Sequence, residues 1–156
     1  MAAKTMVKLG KAAKNFTLQD QFGQNVVLAQ LKGHRVLLSF HPLAWTPVCT
    51  KQMQVLEKNK KVFDKLNTIA VGLSVDSVPS KAAWAKAIKV KNTRLLADFW
   101  PHGGVAKSLG LFRDKDGISQ RANVILDEKG KVCFVKVYPI AELPDIKEII
   151  SFLKNS

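Results

Sequence analysis

Two continuous apolar runs constrain the fold of this 156-residue chain more than any other feature. Arg35–Phe40 reads RVLLSF, and residues 68–75 read TIAVGLSV. Both have the length of a strand, and neither alternates strictly between apolar and polar positions. Such runs are typical of strands that are buried on both faces, as in a mostly parallel sheet. The sequence therefore predicts an α/β fold.

The remaining segments supply helices and further strands around that sheet. Helical periodicity predicts helices over residues 46–66, 77–90, 103–109 and 144–153. Short strand-like runs on either side of Gly23 and of Gly130 predict two hairpins. The element order is β-β-β-α-β-α-β-α-β-β-α. We therefore expect a single domain spanning residues 1–156, with a central mixed sheet and helices on both faces.

The net charge of +13 arises from 25 Lys and Arg residues against 12 Asp and Glu residues. The lysines form two loose groups in which they alternate with apolar positions, a pattern that is typical of a solvated helix face. Arginine and aromatic residues interleaved on one element, as in nucleic-acid modules, are not visible. We expect weak, salt-sensitive attraction to polyanions and no specific nucleic-acid partner. The two groups are Lys58, Lys60, Lys61 and Lys65, and Lys81, Lys86, Lys89 and Lys91.

The cysteine count and the length of the apolar runs bear on the compartment. Two cysteines are too few for a disulfide scaffold, and they fit a reducing environment. No run reaches about 18 apolar residues, so we expect no membrane-spanning helix. The basic N-terminal stretch lacks the apolar core of a signal peptide. We therefore expect a cytoplasmic protein.

One of the two cysteines, Cys49, lies in the stretch HPLAWTPVCT between a predicted strand and a predicted helix. Thr46 is a favoured N-cap residue, and Pro47 suits the first helical position. Cys49 then falls in the first turn, where the partial positive charge of free N–H groups favours thiolate over thiol. The Thr46 hydroxyl, three residues earlier, can lie beside the sulfur and donate to it or to a bound oxygen. This arrangement predicts a nucleophilic cysteine.

His41 leaves a second enzyme class open, because a neighbouring imidazole can activate a thiol as in a Cys–His hydrolase. It directly precedes Pro42, which holds it extended at a strand end, and no Asn or Asp has an obvious orienting role. We therefore expect a structural role for His41. His34, His41 and His102 lack ligand spacing with either cysteine, so we expect neither a metal nor a cofactor.

Pro42, Thr46 and Cys49 stand in the spacing P-x-x-x-T-x-x-C, which resembles the active-site motif of the peroxiredoxins. The resemblance extends over nearly the whole chain, through NFTLQDQFGQNVVLAQLKGHRVLLSF, LLADFWPHGGVAKSLGLF and ISQRANVILDEKGKV. It implies a thioredoxin-like fold and the reduction of hydroperoxides through a peroxidatic cysteine.

The resemblance also implies a role for each matching residue. Cys49 would attack the peroxide and become a sulfenic acid. Thr46 would hydrogen-bond the peroxide, and Pro42 would shield the oxidised sulfur. Arg121, in SQRANVILD, matches an arginine that the family uses, and a guanidinium both stabilises a thiolate and bonds two oxygens. An alternative from another class is a redox sensor or holdase chaperone on the same fold that signals through Cys49 oxidation.

Cys133, in the strand-like run VCFVKVY, does not match the resolving positions of the family. A free cysteine in a strand is usually a small core residue. We therefore expect a one-cysteine mechanism, in which an external thiol reduces the sulfenic acid. Thioredoxin, glutaredoxin or a low-molecular-weight thiol are the candidate reductants.

Phe99, Trp100 and Pro101 form an aromatic segment between a predicted strand and a predicted helix. This segment could pack over the N-terminal hairpin, or it could contact a second copy of the chain. Both alternatives stay open. Because the resembling proteins often dimerise near the active site, we expect a homodimer.

Overall fold

The centre of the molecule is a five-stranded sheet, flanked by two small hairpins. A computed structural model of the protein describes residues 6–156. The strands are β1 (Thr17–Gln19), β2 (Asn25–Val27), β3 (Arg35–Phe40), β4 (Thr68–Ser74), β5 (Arg94–Ala97), β6 (Phe112–Arg113), β7 (Ile118–Ser119), β8 (Arg121–Leu126) and β9 (Val132–Tyr138).

The central sheet is mixed, with the strand order β5-β4-β3-β8-β9. β3, β4 and β5 are parallel, whereas β8 runs antiparallel to β3 and β9 antiparallel to β8. The two apolar runs of the sequence form the neighbouring strands β3 and β4. Because both lie inside the sheet and are covered on both faces, they need apolar side chains in successive positions. The predicted α/β fold with a mixed sheet is confirmed.

The hairpins agree with the sequence in two of three cases. β1 pairs with β2, and β8 pairs with β9, as the glycines at their turns predict. The pair β6–β7 was not predicted, because strands of two residues are too short to produce an alternating pattern. Its turn is closed by an Arg113–Asp116 ion pair of 2.9 Å and by Gly117, which has a positive φ of 71°.

The helices differ from the prediction mainly at one break. The predicted helix over residues 46–66 is two helices, because Asn59 leaves the helical conformation with φ −100° and ψ 13°. Its side-chain amide donates to the carbonyl of Val55 at 2.8 Å, and such local bonds compete with the helix. The helices are α1 (Pro47–Lys58), α2 (Lys60–Lys65), α3 (Val78–Ile88), α4 (Gly104–Ser108) and α5 (Ile146–Asn155).

Two apolar cores lie on the two faces of the sheet. Side chains of β3 alternate between them: Leu37 packs with α1, α2, α3 and α5, whereas Leu38 and Phe40 pack with α4 and the β1–β2 hairpin. The carboxyl ends of β3 and β4 lead to the starts of α1 and α3. This edge of a parallel sheet is where α/β proteins commonly place their functional side chains. Within residues 6–156, no helix has the length and apolar character needed to cross a membrane.

Candidate active site

Cys49 lies at the start of α1, at the edge where β3 ends. Pro47 begins the helix, and Thr46 before it has an extended backbone with φ −93° and ψ 151°. Cys49 is fully buried. A thiol in the first turn faces the positive end of the helix dipole, which favours its ionised form. The local sequence therefore produces the helix start that was expected.

Arg121 reaches the sulfur from the first residue of β8. Its Nη1 atom donates to Sγ of Cys49 at 3.4 Å and to Oε1 of Gln52 at 2.7 Å, and its Nε atom donates to the carbonyl of Ile140 at 2.8 Å. The side chain is buried, with 2% exposed. A guanidinium keeps its charge even when buried, so it supplies a fixed positive charge beside the thiol. Two residues 72 positions apart in the sequence thus meet at one atom pair.

Gln52 was not singled out from the sequence, although it is central to this site. Its Nε2 atom donates to Oγ of Ser39 at 2.8 Å, and that hydroxyl donates to Oδ1 of Asn123 at 2.8 Å. The Asn123 amide reaches the Tyr138 hydroxyl at 3.4 Å, and Tyr138 donates to Glu148 at 3.0 Å. The sequence does indicate such a role for Gln52, because it lies three residues after Cys49 and is a polar residue on the apolar face of α1.

Thr46 occupies the N-cap position, but its hydroxyl makes a different bond from the expected one. Oγ1 donates to the carbonyl of Leu43 at 2.8 Å, so its proton is not directed at the sulfur. The lone pairs of this oxygen are left to accept a hydrogen bond. Pro42 is buried at the start of the same loop. Trp45, between them, has a positive φ of 72°, and its indole N–H donates to Ser80 at 3.1 Å.

His41 and Lys81 form a buried pair near this loop. Nζ of Lys81 lies 3.1 Å from Nε2 of His41, and both side chains have 0% exposure. Burial and the charge of Lys81 hold the pKa of His41 well below its usual value. Because Nε2 is engaged by Lys81, this imidazole is not arranged as the base of a Cys–His hydrolase. The structural role that we expected for His41 agrees with this geometry.

The expectation of a solvated lysine face is wrong for Lys81. It projects inward from α3 on the same side as Trp84, which is also fully buried. Lys86, five residues further along the same helix, is exposed, as the pattern predicted. The three-residue spacing between Lys81 and Trp84, which places both on one side of a helix, is therefore the feature of the sequence that indicates a buried lysine.

Cys133 is half-buried on β9, away from Arg121. Its thiol donates to the carbonyl of Ile125 at 3.4 Å. Burial, followed by the nearby Asp127 carboxylate, raises the pKa of the Cys133 thiol. Both effects disfavour the thiolate, so Cys133 lacks the activation that surrounds Cys49.

The aromatic segment after β5 is exposed. Trp100 is 80% exposed and Phe99 51% exposed. The alternative in which these rings pack over the N-terminal hairpin therefore does not hold for Trp100. Among residues 6–156, no group of three His, Cys, Asp or Glu side chains is arranged to hold a metal ion.

The fold and the site together define a thiol-based redox enzyme, and comparison with known proteins agrees. Residues 9–135 match the AhpC/TSA family. Alkyl hydroperoxide reductase E of Mycobacterium bovis is 34% identical over 141 residues, which cover 90% of this chain and 92% of that protein.

Two solved structures extend the comparison to the fold. The reduced 2-Cys peroxiredoxin of Plasmodium vivax superposes with a TM-score of 0.84 at 30% identity, covering 94% of this chain and 80% of that one. Peroxidoxin BcpB from Mycobacterium tuberculosis superposes with a TM-score of 0.83 at 28% identity, covering 97% and 98%. The chain therefore belongs to the AhpC/TSA family of peroxiredoxins, with their thioredoxin-like fold and thiol-dependent peroxidase activity.

Proposed function

We propose that Cys49 is the peroxidatic cysteine and that an external thiol returns it to the reduced state. The observation that carries this proposal is the bond between Arg121 and the Cys49 sulfur at a helix N-terminus. Two independent sources of positive charge act on one buried thiol. Hydroperoxides are the substrate class, and the relative named as an alkyl hydroperoxide reductase makes organic hydroperoxides the first to test.

The reaction balances as a two-electron transfer from sulfur to oxygen. The Cys49 thiolate attacks the terminal oxygen of R–O–OH, so that an S–O bond forms and the O–O bond breaks. The leaving RO⁻ takes up a proton and departs as an alcohol, or as water from hydrogen peroxide. Sulfur is oxidised to a sulfenic acid. An external thiol then displaces water to give a mixed disulfide, and a second thiol releases Cys49.

Each site residue has a role in that sequence. Arg121 stabilises the thiolate and, as the O–O bond lengthens, the charge on the oxygens. Thr46, with its proton committed to Leu43, accepts a hydrogen bond from the peroxide O–H. Pro42, buried in the same loop, shields the oxidised sulfur from solvent.

The one-cysteine mechanism is supported by the position of Cys133. Its thiol bonds the carbonyl of Ile125, four residues beyond Arg121 along β8, which is about 13 Å at a strand rise of about 3.3 Å per residue. A disulfide requires Cα atoms within about 7 Å. Cys49 is bonded by the side chain at one end of this stretch and Cys133 bonds the carbonyl at the other end, which favours an external thiol over Cys133 as the reductant.

We also propose a homodimer in a reducing, cytoplasmic environment. The exposed aromatic rings of Trp45, Phe99 and Trp100 provide apolar surface that a second copy of the chain would cover. The two free cysteines suit a compartment in which thiols stay reduced.

The test is rapid-mixing measurement of peroxide reduction by the wild type, Cys49→Ser and Cys133→Ser. We expect second-order reaction far faster than that of a free thiol in the wild type and in Cys133→Ser, and none in Cys49→Ser. Repeated turnover with an added dithiol distinguishes a peroxidase from a sensor that reacts once. A wild-type rate equal to that of a free thiol would overturn the proposal.

A further inference from the structure

Lys81 is an unusual lysine that the peroxidase mechanism above leaves unexplained. Lysines are almost never fully buried unless they are paired with an opposite charge. Lys81 has 0% exposure, and the ion pairs formed among residues 6–156 do not include it. Among the described residues, its side-chain hydrogen-bond partner is the imidazole of His41, and its Nζ atom also lies 5.8 Å from the centroid of the Trp84 ring. Within residues 6–156, no carboxylate therefore forms a direct ion pair with this buried amine.

The packing brings this cation to the side of the sheet that holds Cys49. Lys81 is one turn before Trp84 on α3, and the Trp84 indole donates to the hydroxyl of Thr50, next to Cys49, at 3.2 Å. Trp84 and Cys49 belong to the same apolar core.

A glycine in β4 allows the His41 ring to approach α1. A Cβ atom at Gly72 would lie 3.3 Å from Cε1 of His41 and would overlap the sulfur of Met53. Met53 is one turn after Cys49 on α1. The glycine therefore leaves room for the imidazole and the thioether side by side, and Lys81 is bonded to that imidazole.

The other charged groups around Lys81 are already engaged. Asp76 accepts from the backbone N–H of Ala44 at 2.9 Å and from the hydroxyl of Ser74. Asp98 accepts from the backbone N–H groups of Val105 and Ala106, in the first turn of α4, at 3.0 Å. Arg121 faces His41 from β8 and adds positive charge. The charged form of Lys81 is favoured by Asp76, by Cys49 as a thiolate and by Asp98, and of these three groups the peroxidase mechanism uses Cys49.

We propose that Lys81, held by His41, is a second cationic group that stabilises the Cys49 thiolate in addition to Arg121. Unlike a guanidinium, an ammonium in this position can lose its proton, so its contribution depends on pH. Lys81 does not contact the reacting atoms, and its positive charge acts on the sulfur through space. This inference rests on the proposed peroxidatic role of Cys49.

The direction of the pH dependence follows from the charges. Burial lowers the pKa of Lys81 to about 7, against the raising effects of Asp76, of Cys49 and of Asp98. Below about pH 7 Lys81 is charged and supports the thiolate, and well above that pH it is neutral and contributes nothing. The coupling is reciprocal, so removal of the thiolate must weaken the hold of Lys81 on its proton.

Lys81→Met tests the proposal, because methionine keeps the length and removes the charge. Lys86→Met is the matched control, an exposed lysine on the same helix. Two readouts are taken across pH: the ultraviolet absorbance of the Cys49 thiolate, and the second-order rate with hydrogen peroxide. We expect the rate of Lys81→Met to be about tenfold lower at about pH 6 and equal to the wild type at about pH 9. Lys86→Met should follow the wild type throughout.

Two outcomes overturn the inference: coincident profiles of Lys81→Met and wild type, or a loss of equal size at every pH, which indicates a structural role. The absorbance readout needs no peroxide, so a failure of the peroxidase proposal is distinguished from a failure of this one. If Lys81→Met does not fold, NMR titration of the Lys81 side chain in Cys49→Ser tests whether the charges of Lys81 and Cys49 are coupled. We expect its pKa there to fall further below about 7 than in the wild type, and an unchanged value contradicts the coupling.

Discussion

Nη1 of Arg121 lies 2.7 Å from Oε1 of Gln52, and the same nitrogen donates to the Cys49 sulfur at 3.4 Å. The amide of Gln52 cannot turn freely, because its Nε2 atom donates to the hydroxyl of Ser39. Gln52 therefore presents its oxygen to the guanidinium and holds it against the thiol. The arginine supplies the charge, and the glutamine fixes where that charge acts.

We therefore predict that Gln52→Met slows peroxide reduction. Methionine fills the same space but offers no acceptor to Arg121, so the guanidinium is free to turn away from the sulfur. The expected loss in the second-order rate with hydrogen peroxide is about tenfold, measured by rapid mixing.

Gln54→Met is the matched control, because Gln54 lies on the exposed side of the same helix. Its rate should equal that of the wild type. If Gln52→Met also reacts at the wild-type rate, Gln52 does not orient Arg121.

The strands were more predictable than the helix boundaries. β3 begins and ends at the predicted residues because its apolar run reflects burial within the sheet, and the edge strand β9 also matches its predicted bounds. The break at Asn59 escaped prediction, because the apolar spacing continues through it while one side-chain bond interrupts the backbone. Two-residue strands such as β6 leave no periodic signal at all.

Features of the site that depend on adjacent residues could be predicted from the sequence, whereas contacts between distant elements of the fold could not. The helix start at Thr46 and Pro47 follows from capping preferences of adjacent residues. Arg121 was identified through the family resemblance. Lys81 was predicted to face solvent because it precedes a series of lysines that alternate with apolar residues, whereas its hydrogen-bond partner His41 lies far away in the sequence.

Thr46→Val is expected to reduce the rate more than Thr46→Ser. Valine has the same shape but no hydroxyl, so it cannot accept a hydrogen bond from the peroxide, whereas serine retains that oxygen. We predict a loss of about tenfold or more for valine and a rate within a factor of about three for serine. Rapid-mixing kinetics with one peroxide measures both variants. Equal losses would show that shape, and not the hydroxyl, is what the site requires.

Lys81 also predicts how stability changes with pH. Its pKa is about 7 in the folded chain and an ordinary 10.5 once exposed, so between these values the unfolded chain binds more protons. Folding stability therefore rises with pH through this window. Lys81→Met has no such proton, so it should be more stable than the wild type at about pH 7, on the order of a few kcal/mol.

Urea unfolding at several pH values measures this effect. The gap between Lys81→Met and the wild type should narrow as the pH rises from about 7 towards 10.5. Lys86→Met should show no gap that depends on pH. A constant difference between Lys81→Met and the wild type would mean that packing alone accounts for it.

Cys133→Ser should leave turnover with an external thiol unchanged. The thiol of Cys133 is disfavoured as a thiolate by burial and by Asp127, and its bond to Ile125 holds it on β9, towards the far end of β8 from Arg121. Mass spectrometry of wild-type protein treated with peroxide and then with a thiol reductant should therefore find Cys49 as sulfenic acid or as a mixed disulfide. A disulfide between Cys49 and Cys133 within one chain would instead require the start of α1 or β9 to rearrange. Its detection would replace the one-cysteine mechanism by a two-cysteine one, while the peroxidatic role of Cys49 would stand.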